Sequence, residues 1–431
     1  MEVTLGILGI GLALAFMTFA VYKNWSILYC SVISIVIIAL TNRLDLVEVF
    51  TETYVSGLGD FAAPNLLLFV EGAMIGKLFD DSGAAWRLGS TVVSKMGKRW
   101  SLIGYILVAS ILEWGGISTF VICFVLLPLS KPIFKETNTP WYLWPAITLI
   151  GIIPPELIWP GGLQIHNILP TQVLGTTLMA APVMSIVMAV GFYIYSGIYI
   201  TIELKRSKKV EWKRNSLPPS DKETENASFE ETAPNVVISL IPIVVCLVSI
   251  NVFDLEPVFG LGFGVITAAI LFYRSIDHMV DCLNMGAENG IKPLILVAAV
   301  VGIAQVVAST ASFDVIRESL LSFSSTSKLA TGAAVVGTTN IIALICGSAS
   351  GAITMILNMF SEAWMAAGLT PEWIHRTVCV AAGGLDTVPW NSFVVMQLSI
   401  AGLTHKKAYM PMFFISLLGP ILTAMLSIFF V

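Results

Sequence analysis

Four carboxylic acids stand inside otherwise apolar stretches of this sequence: Glu71, Glu113, Glu156 and Asp386. An ionisable side chain is costly at membrane depth, and where one occurs there it is a functional candidate by default. Burial disfavours the charged form of a carboxyl group, so such a group can bind and release a proton near neutral pH. We predict that Asp386, Glu156 or Glu113 binds a coupling proton, whereas Glu71 is expected at a contact between helices. The alternative for each is a carboxylate that braces backbone N–H groups.

Short polar breaks interrupt two long apolar stretches about half a chain apart, at residues 114–119 and 347–351. The first reads Trp-Gly-Gly-Ile-Ser-Thr and the second Gly-Ser-Ala-Ser-Gly. From Gly116 and from Gly347, the proline of a Thr-Pro pair follows at the same distance. Each half of such a stretch is too short to cross a hydrocarbon layer of about 30 Å. We therefore predict two re-entrant hairpins whose tips meet near the midplane.

A second pair of breaks follows the Thr-Pro pairs, at residues 154–162 and 383–391. A duplicated pair of Gly/Pro-interrupted apolar segments points to the binding site of a secondary transporter. Non-helical backbone survives at membrane depth only where protein or a wet cavity satisfies it. Glu156 and Asp386 occupy related places in these breaks, because each lies shortly before a proline.

Hydroxyl groups are concentrated at the predicted hairpin tips, on Ser118, Thr119, Ser348 and Ser350. Helix N-termini at such tips offer unpaired N–H groups and a partial positive charge. We predict that they hold a substrate carboxylate without a buried arginine. The alternative is that small residues here only allow helices to pack closely.

The two predicted broken helices carry amides, hydroxyls and one imidazole that suit a hydroxylated substrate. The candidate substrate-binding residues there are Gln164, His166, Asn167, Thr387, Asn391 and Ser392. The alternative is that these side chains satisfy backbone groups freed by the breaks. His166 is in addition a candidate proton relay or donor to an anion, whereas His278, His375 and His405 are expected at membrane ends.

The composition is that of a membrane protein. Hydrophobic residues make up 56% of the chain, charged residues 12%, and the mean hydropathy is +0.85, whereas a soluble domain carries about 25% charge. The first apolar run lacks the basic flank and the small-residue cleavage site of a signal peptide, so it is expected to remain as a helix. The lipid bilayer is therefore a predicted partner.

Several kinds of chemistry lack their motifs. The six cysteines are scattered without a CxxC spacing, so we expect neither a metal site nor a redox pair. No Walker A sequence occurs, and no cofactor is expected beyond a coupling ion, H⁺ or Na⁺. Ala349 stands where a Gly-x-Ser-x-Gly hydrolase has its nucleophile, and HExxH is absent. We predict that the protein is not an enzyme and binds no nucleic acid.

The apolar segments predict an all-α polytopic membrane protein of two inverted repeats, each with about five transmembrane helices, a re-entrant hairpin and a broken helix. The candidate spans are 4–22, 25–41, 61–79, 141–168, 172–201, 236–253, 258–273, 291–309, 372–400 and 410–430. The predicted domains are 1–202 (hairpin about 101–130, broken helix about 141–168), a polar linker at 203–235, and 236–431 (hairpin about 329–360, broken helix about 372–400).

Basic residues orient these segments. With Lys23 inside, all of the 23 lysines and arginines fall in cytoplasmic loops except Arg43, Arg317, Lys328 and Arg376. This is a strong positive-inside bias. It places both termini outside and the 203–235 loop in the cytoplasm, and the compact loops favour a multi-pass protein of a prokaryotic cell (inner) membrane.

Four segments carry a family resemblance. They are residues 72–85, from Gly-Ala-Met-Ile-Gly-Lys-Leu; 116–129, from Gly-Ile-Ser-Thr to Leu-Pro-Leu; 160–177, from Pro-Gly-Gly-Leu-Gln-Ile-His-Asn; and 383–409, from Gly-Gly-Leu-Asp-Thr-Val-Pro-Trp-Asn. Through them nearly the whole chain resembles the gluconate permease family of the ion transporter superfamily, and most closely its hydroxybutyrate-type subgroup. His166, Trp390 and Ser392 depart from the residues usual in that subgroup.

The resemblance implies proton-coupled symport of a small organic anion, a hydroxy acid such as gluconate, 3-hydroxybutyrate or a similar monocarboxylate. It also implies a homodimer in which one part of each subunit moves past a scaffold, an elevator-like form of alternating access. Two alternatives of the same superfamily stay open. One is a sodium-coupled carboxylate transporter, because unwound carbonyls with Ser, Thr and Asn can bind Na⁺. The other is a cation/proton antiporter.

Overall fold

The computed structural model describes residues 2–98, 100–115, 119–207, 232–253, 255–321 and 328–431. Every regular element in these ranges is a helix, so the predicted all-α class is confirmed. Ser118 and most of the 203–235 linker lie outside the described residues.

The helices before the linker follow the apolar runs and end at their Gly, Asn and Pro punctuation. They are α1 (Glu2–Tyr22), α2 (Ile27–Asn42), α3 (Leu46–Asp81), α4 (Ala84–Met96), α5 (Ser101–Trp114), α6 (Thr119–Glu136), α7 (Trp141–Ile158), α8 (Ile165–Leu174) and α9 (Pro182–Ser207).

As many helices follow the linker as precede it in the described part of the chain. They are α10 (Val236–Asn251), α11 (Pro257–Leu271), α12 (Met279–Ala308), α13 (Ala311–Leu321), α14 (Lys328–Cys346), α15 (Ala349–Ala366), α16 (Pro371–Ala382), α17 (Ser392–Ile400) and α18 (His405–Phe430).

Some elements on the two sides of the linker resemble each other. The α1–α2 pair packs together as the α10–α11 pair does, and α3 and α12 are long helices that make the most extensive helix contact in the described part of the protein.

Most of the long apolar helices expose apolar side chains on the outside of the protein. In the described part of the chain, six are long and apolar enough to cross a membrane: α1, α3, α7, α9, α12 and α18. The α16–α17 pair, bent by 60° at its break, adds a seventh. Leu8 on α1, Ile194 on α9 and Ile270 on α11 are exposed, and apolar side chains exposed on this scale need lipid or another apolar surface. The protein is therefore a multi-pass membrane protein.

One of these helices, α7, lies in the centre of the protein, and nearly all of its residues are buried. Trp141 and Trp144 stack with ring centroids 5.5 Å apart. The Trp141 indole donates to the Ala401 carbonyl at 3.0 Å, and the Trp144 indole donates to the Tyr105 hydroxyl at 3.0 Å. Because buried N–H groups need such partners, these contacts fix α7 and the break that follows it.

Three features differ from the predicted spans. α8 ends at Gly175, whose φ of +66° favours glycine, so the span predicted at 172–201 begins only at Pro182. α14 and α15 have 19 and 18 residues, so at about 1.5 Å per residue they approach the thickness of the hydrocarbon. α4 and α13 were not predicted, because the polar residues on one face of each lower its hydropathy.

Candidate functional site

The end of α5 packs onto the break between α7 and α8. The Leu163 N–H donates to the Trp114 carbonyl at 3.2 Å, and the Trp114 indole donates to the Pro160 carbonyl at 3.3 Å. The Gln164 amide donates to the Glu113 carbonyl at 2.6 Å. The end of α5 and the break thus satisfy each other's backbone groups, as non-helical backbone at this depth requires.

Prolines and glycines shape this first break. Pro154 and Pro155 cannot donate a backbone hydrogen bond, and α7 ends there in a π-turn that contains Glu156. Gly161 has a φ of +76°, and a Cβ on Gly162 would lie 2.8 Å from the Pro155 carbonyl oxygen. The chain therefore turns sharply where Glu156 stands.

The tip between α14 and α15 packs onto the second break in a similar way. The Asn391 amide donates to the Gly347 carbonyl at 3.3 Å and to the Asp386 carboxylate at 2.9 Å. The backbone N–H of Ala349, the first residue of α15, also lies near the Asp386 carboxylate. The carboxylate of Asp386 therefore lies against the N-terminus of α15, a position that favours an anion.

The structure brings three of the predicted acids together. The hydroxyl oxygen of Thr119 lies 2.9 Å from Oε1 of Glu113 and 3.2 Å from Oε1 of Glu156. Nδ1 of His166 lies 3.3 Å from the same Glu156 oxygen. Asp386, from the second break, is close enough to Glu156 for their charges to interact. Glu113, Glu156 and Asp386 therefore form one carboxyl cluster.

The Thr119 contacts constrain the protons in this cluster. A hydroxyl group has one hydrogen, and an ionised carboxylate only accepts hydrogen bonds. Thr119 can therefore donate to Glu113 or to Glu156, and the other contact is a hydrogen bond only if that carboxyl carries a proton and donates it. In the described ranges neither acid has a Lys or Arg within 4.0 Å. The geometry favours one proton shared by the two carboxyls.

A chain of hydrogen bonds runs from α16 to the first break. Nε2 of His375 lies 2.9 Å from Oδ1 of Asn167, and Nδ1 lies 2.7 Å from the Thr176 hydroxyl. The Asn167 amide nitrogen donates to the carbonyls of Gly162 at 2.8 Å and Leu178 at 3.1 Å. The Asn167 oxygen must therefore accept, so Nε2 of His375 carries a hydrogen.

Arg376 binds the same region. Its side chain is fully buried, and its guanidinium donates to the carbonyls of Leu157 at 3.4 Å, Leu178 at 3.3 Å and Ala180 at 3.4 Å. Arg376 falls within the predicted span 372–400, and the structure places it in α16 inside the protein. An arginine within the apolar span 372–400 is the signal that identifies it.

Further polar residues of the site carry no signal in the sequence. Asn340 on α14 accepts from the Leu385 N–H at 3.0 Å. His405 is buried, with Nε2 2.6 Å from the Pro389 carbonyl, so it is not the membrane-end residue that was predicted, and neither is the buried His375. A hydrogen bond to backbone far along the chain leaves no local pattern from which it can be predicted.

Several predicted substrate-binding residues are buried and already engaged. The Asn391 oxygen accepts the N–H groups of Phe393 and Val394, and the Thr387 hydroxyl donates to the Gly384 carbonyl at 3.2 Å. Gln164 and Asn167 are likewise buried and donate to backbone carbonyls, and Ser392 is buried. The contacts of Asn391, Thr387, Gln164 and Asn167 are those of a brace for backbone freed at the breaks.

Other predicted residues remain partly exposed where the tips and breaks meet. Ser348 caps α15 by accepting the Gly351 N–H at 3.4 Å, and its hydroxyl lies 3.2 Å from that of Ser350. The partly exposed group comprises Thr119, Glu156, His166, Ser348, Ser350 and Asp386. These are the side chains that a bound molecule can reach; Ser118 lies outside the described residues.

Glu71 lies apart from the carboxyl cluster. It is on α3 and faces α11, where a Cβ on Gly262 would lie 3.3 Å from its Oε1. Its Oε2 has no hydrogen-bond partner among the described residues. This is the contact between helices at which the sequence predicts it.

Apolar spans around paired helix breaks, with a buried polar centre, are the architecture of a secondary transporter. The chain belongs to the gluconate permease family, because the GntP family permease model matches residues 3–260. The predicted family is thus confirmed, and the protein is a transporter rather than an enzyme.

Three relatives are similar to this chain. The uncharacterised transporter YxjC of Bacillus subtilis (strain 168) is 26% identical over 453 residues, which cover 94% of this chain and 95% of the relative. The high-affinity gluconate transporter of Escherichia coli (strain K12) is 21% identical over 327 residues, 70% and 69% of the two chains. A gluconate permease of Bacillus licheniformis is 25% identical over 234 residues, 51% and 49% of the two chains.

Proposed function

We propose that the protein is a secondary active symporter that couples the movement of a small organic anion to that of a proton. The observation that carries the proposal is the Thr119 hydroxyl, within 2.9 Å of Glu113 and 3.2 Å of Glu156. Two carboxyls that share one proton without a compensating cation can take up a proton on one side of the membrane and release it on the other. Asp386 completes this coupling site.

The position of Asp386 explains why anion and proton travel together. Its carboxylate lies near the Ala349 N–H at the start of α15, where a substrate carboxylate is also expected to bind. Two like charges at one site repel, so the substrate binds once Asp386 is protonated or has been displaced. A proton passed between Glu156 and Asp386 removes this repulsion, and anion and proton then occupy the site together.

The substrate class follows from the partly exposed side chains. Ser348, Ser350 and Thr119 offer hydroxyls, and His166 offers a ring nitrogen, which together complement a hydroxylated carbon chain. Two relatives are named for gluconate. The substrate in this proposal is a hydroxy acid such as gluconate, 3-hydroxybutyrate or a similar monocarboxylate. Asn167 and Asn391 position the breaks rather than contact the substrate.

Matched helix contacts support an elevator-like movement. α6 contacts α17 beyond the second break, and α15 contacts α8 beyond the first. α6 also packs against α3, and α17 against α12. The proposal takes the hairpins and broken helices together as one body, the hairpin body, and the α3–α12 pair as a second. In the proposed cycle the hairpin body carries the site past the α3–α12 pair. Inverted repeats provide two equivalent end states, and a homodimer in the inner membrane holds the second body still.

Uptake into proteoliposomes tests the function. Labelled gluconate, 3-hydroxybutyrate, lactate and citrate are each offered under an inward proton gradient and, separately, under an inward sodium gradient. We expect a hydroxy acid to accumulate under the proton gradient and to leak out when a protonophore is added. Accumulation under sodium alone makes the protein a sodium-coupled carboxylate transporter. Proton movement driven by a cation without any anion makes it an antiporter.

A further inference from the structure

A cavity of about 480 Å³ separates the α3–α12 pair from α6 and α17. It begins near Phe124 on α6 and continues to Lys131 on the same helix. At about 1.5 Å per residue, Phe124 lies about 7.5 Å along the helix from Thr119. Sites for small molecules have volumes of roughly 300–1,000 Å³, so this cavity is large enough for a six-carbon hydroxy acid.

Three lysines line the cavity, and two of them are held in ion pairs. Nζ of Lys77 lies 2.8 Å from Asp81, and Nζ of Lys131 lies 2.5 Å from Asp80. Lys292 on α12 is exposed and has no carboxylate of a described residue within 4.0 Å of its Nζ. Lys292 is therefore the cation most able to attract a mobile anion.

Phenylalanines close the inner end of the cavity. Phe120 and Phe124 of α6 contact Phe69 of α3, with ring centroids 5.4 and 5.8 Å apart. Phe120 also contacts Phe393 of α17 at 5.7 Å. Because Phe120 directly follows Thr119, these rings stand between the cavity and the carboxyl cluster. Ring contacts form no hydrogen bonds, whereas the ion pair between Lys131 of α6 and Asp80 of α3 must break if α6 slides along α3.

We infer that this cavity is an anion chamber, a binding site for the carboxylate of the transported hydroxy acid at one face of the membrane. Lys292 is its attracting cation, and the phenylalanines are its inner seal. Lys77 and Lys131 are paired with Asp81 and Asp80, and Glu288 stands one helical turn before Lys292. The attraction for an anion therefore comes from Lys292 and falls with distance from it. The identity of the anion rests on the proposed function, whereas the charge preference of the chamber does not.

Charged thiol reagents test the chamber directly. Ser399 of α17 lines it and is partly exposed, so Ser399→Cys reports on its charge. The full-length variant is labelled with the anionic 2-sulfonatoethyl methanethiosulfonate and with its trimethylammonium analogue, and the ratio of the two rates is measured. The native cysteines that the structure describes are buried apart from Cys346, whose side chain is not described, and the parent protein serves as the blank.

Lys292→Gln in the Ser399→Cys background should lower the ratio of the anionic to the cationic labelling rate about fivefold. This is the effect expected in water from one unit charge about 8 Å away, because that charge attracts one reagent and repels the other. Glu288, which also lines the chamber, provides the reverse change, and Glu288→Gln should raise the ratio by a similar factor. Lys95→Gln, at an exposed lysine of α4 outside the chamber, is the matched control. Equal ratios in all variants would overturn the inference.

Protection by ligand is the second readout. Millimolar gluconate or 3-hydroxybutyrate should slow the labelling of Ser399→Cys, uncharged sorbitol should not, and Lys292→Gln should weaken the protection. If the rate ratio follows Lys292 but neither anion protects, the chamber has no substrate site and the inference fails. If an anion protects while no proton-driven uptake occurs, the inference stands and the proposed coupling fails.

Discussion

The imidazole of His375 lies 2.9 Å from the side-chain oxygen of Asn167, a residue 208 positions earlier in the chain. This hydrogen bond joins α16, which leads into the second break, to α8, which leaves the first. Arg376 adds three contacts to backbone carbonyls from the same helix. The first break is therefore positioned partly by α16, from the other half of the chain.

His375→Ala should destabilise the protein by about 1–3 kcal/mol, because it leaves the Asn167 oxygen and the Thr176 hydroxyl without their partner. Thermal unfolding in detergent measures the loss. His278→Ala is the control, since His278 is exposed, and its effect should stay within about 0.5 kcal/mol. Equal losses for the two variants would show that the hydrogen bond between the halves contributes nothing to stability.

Replacing the acids of the coupling site should separate binding from coupling. Glu156→Gln and Asp386→Asn cannot release a proton, so the variant at the proton carrier should keep substrate exchange and lose about tenfold or more of its pH-driven accumulation. Exchange and accumulation are measured with the same labelled hydroxy acid in proteoliposomes. Glu71→Gln, a carboxyl outside the cluster, should leave both activities intact.

The outcome at each acid decides its role. Asp386→Asn leaves a neutral group at the N-terminus of α15, so the substrate should bind to it independently of pH. If both Glu156→Gln and Asp386→Asn retain full pH-driven accumulation, neither acid carries the coupling proton.

Thr119→Val should weaken coupling more than it weakens folding. Valine has nearly the volume of threonine but no hydroxyl, so Glu113 and Glu156 lose the group that both contact. We expect pH-driven accumulation to fall about tenfold, which corresponds to about 1.4 kcal/mol. Thr119→Ser keeps the hydroxyl and should retain most of the activity. A Thr119→Ser variant as impaired as Thr119→Val would point to packing of the methyl group instead.

Local signals in the sequence were sufficient for most of the fold. Glycines and prolines punctuate the apolar runs, which is why the breaks at 154–162 and 383–391 could be predicted. The polar faces of α4 and α13 dilute the apolar signal, so those helices could not. The end of α8 and the start of α9 depend on the backbone conformation of one residue, Gly175. Hydropathy averaged over a window of residues does not detect such a conformation.

The sequence predicts the types of side chain at the candidate site, but not which of them brace the backbone and which stay exposed. His166 and Asn167 are neighbours in one motif, yet His166 is partly exposed beside Glu156, whereas Asn167 has every polar group engaged. That difference is set by α16, more than two hundred residues away. Tertiary contacts decide which of two adjacent polar residues braces the backbone, so this cannot be predicted from the local sequence.

Gly384 offers a test of how tightly the second break is packed. A Cβ at this position would lie 2.2 Å from Oδ1 of Asn340 and 2.7 Å from Cγ1 of Ile421. Asn340 must then move, and it would lose its hydrogen bond from the Leu385 N–H. Gly384→Ala should therefore destabilise the protein by about 1–3 kcal/mol and reduce uptake.

The matched control is Gly11→Ala, because Gly11 is exposed on α1 and a Cβ there would have no other atom of the described residues within 4 Å. A helical Gly→Ala change without a clash should be neutral or stabilise by up to about 1 kcal/mol.

Asn340→Ala removes the atom that Gly384→Ala would strike, so the double variant should lose less stability than the sum of the two single variants. Strict additivity of the two losses in thermal unfolding would show that Asn340 does not set the space available at the break.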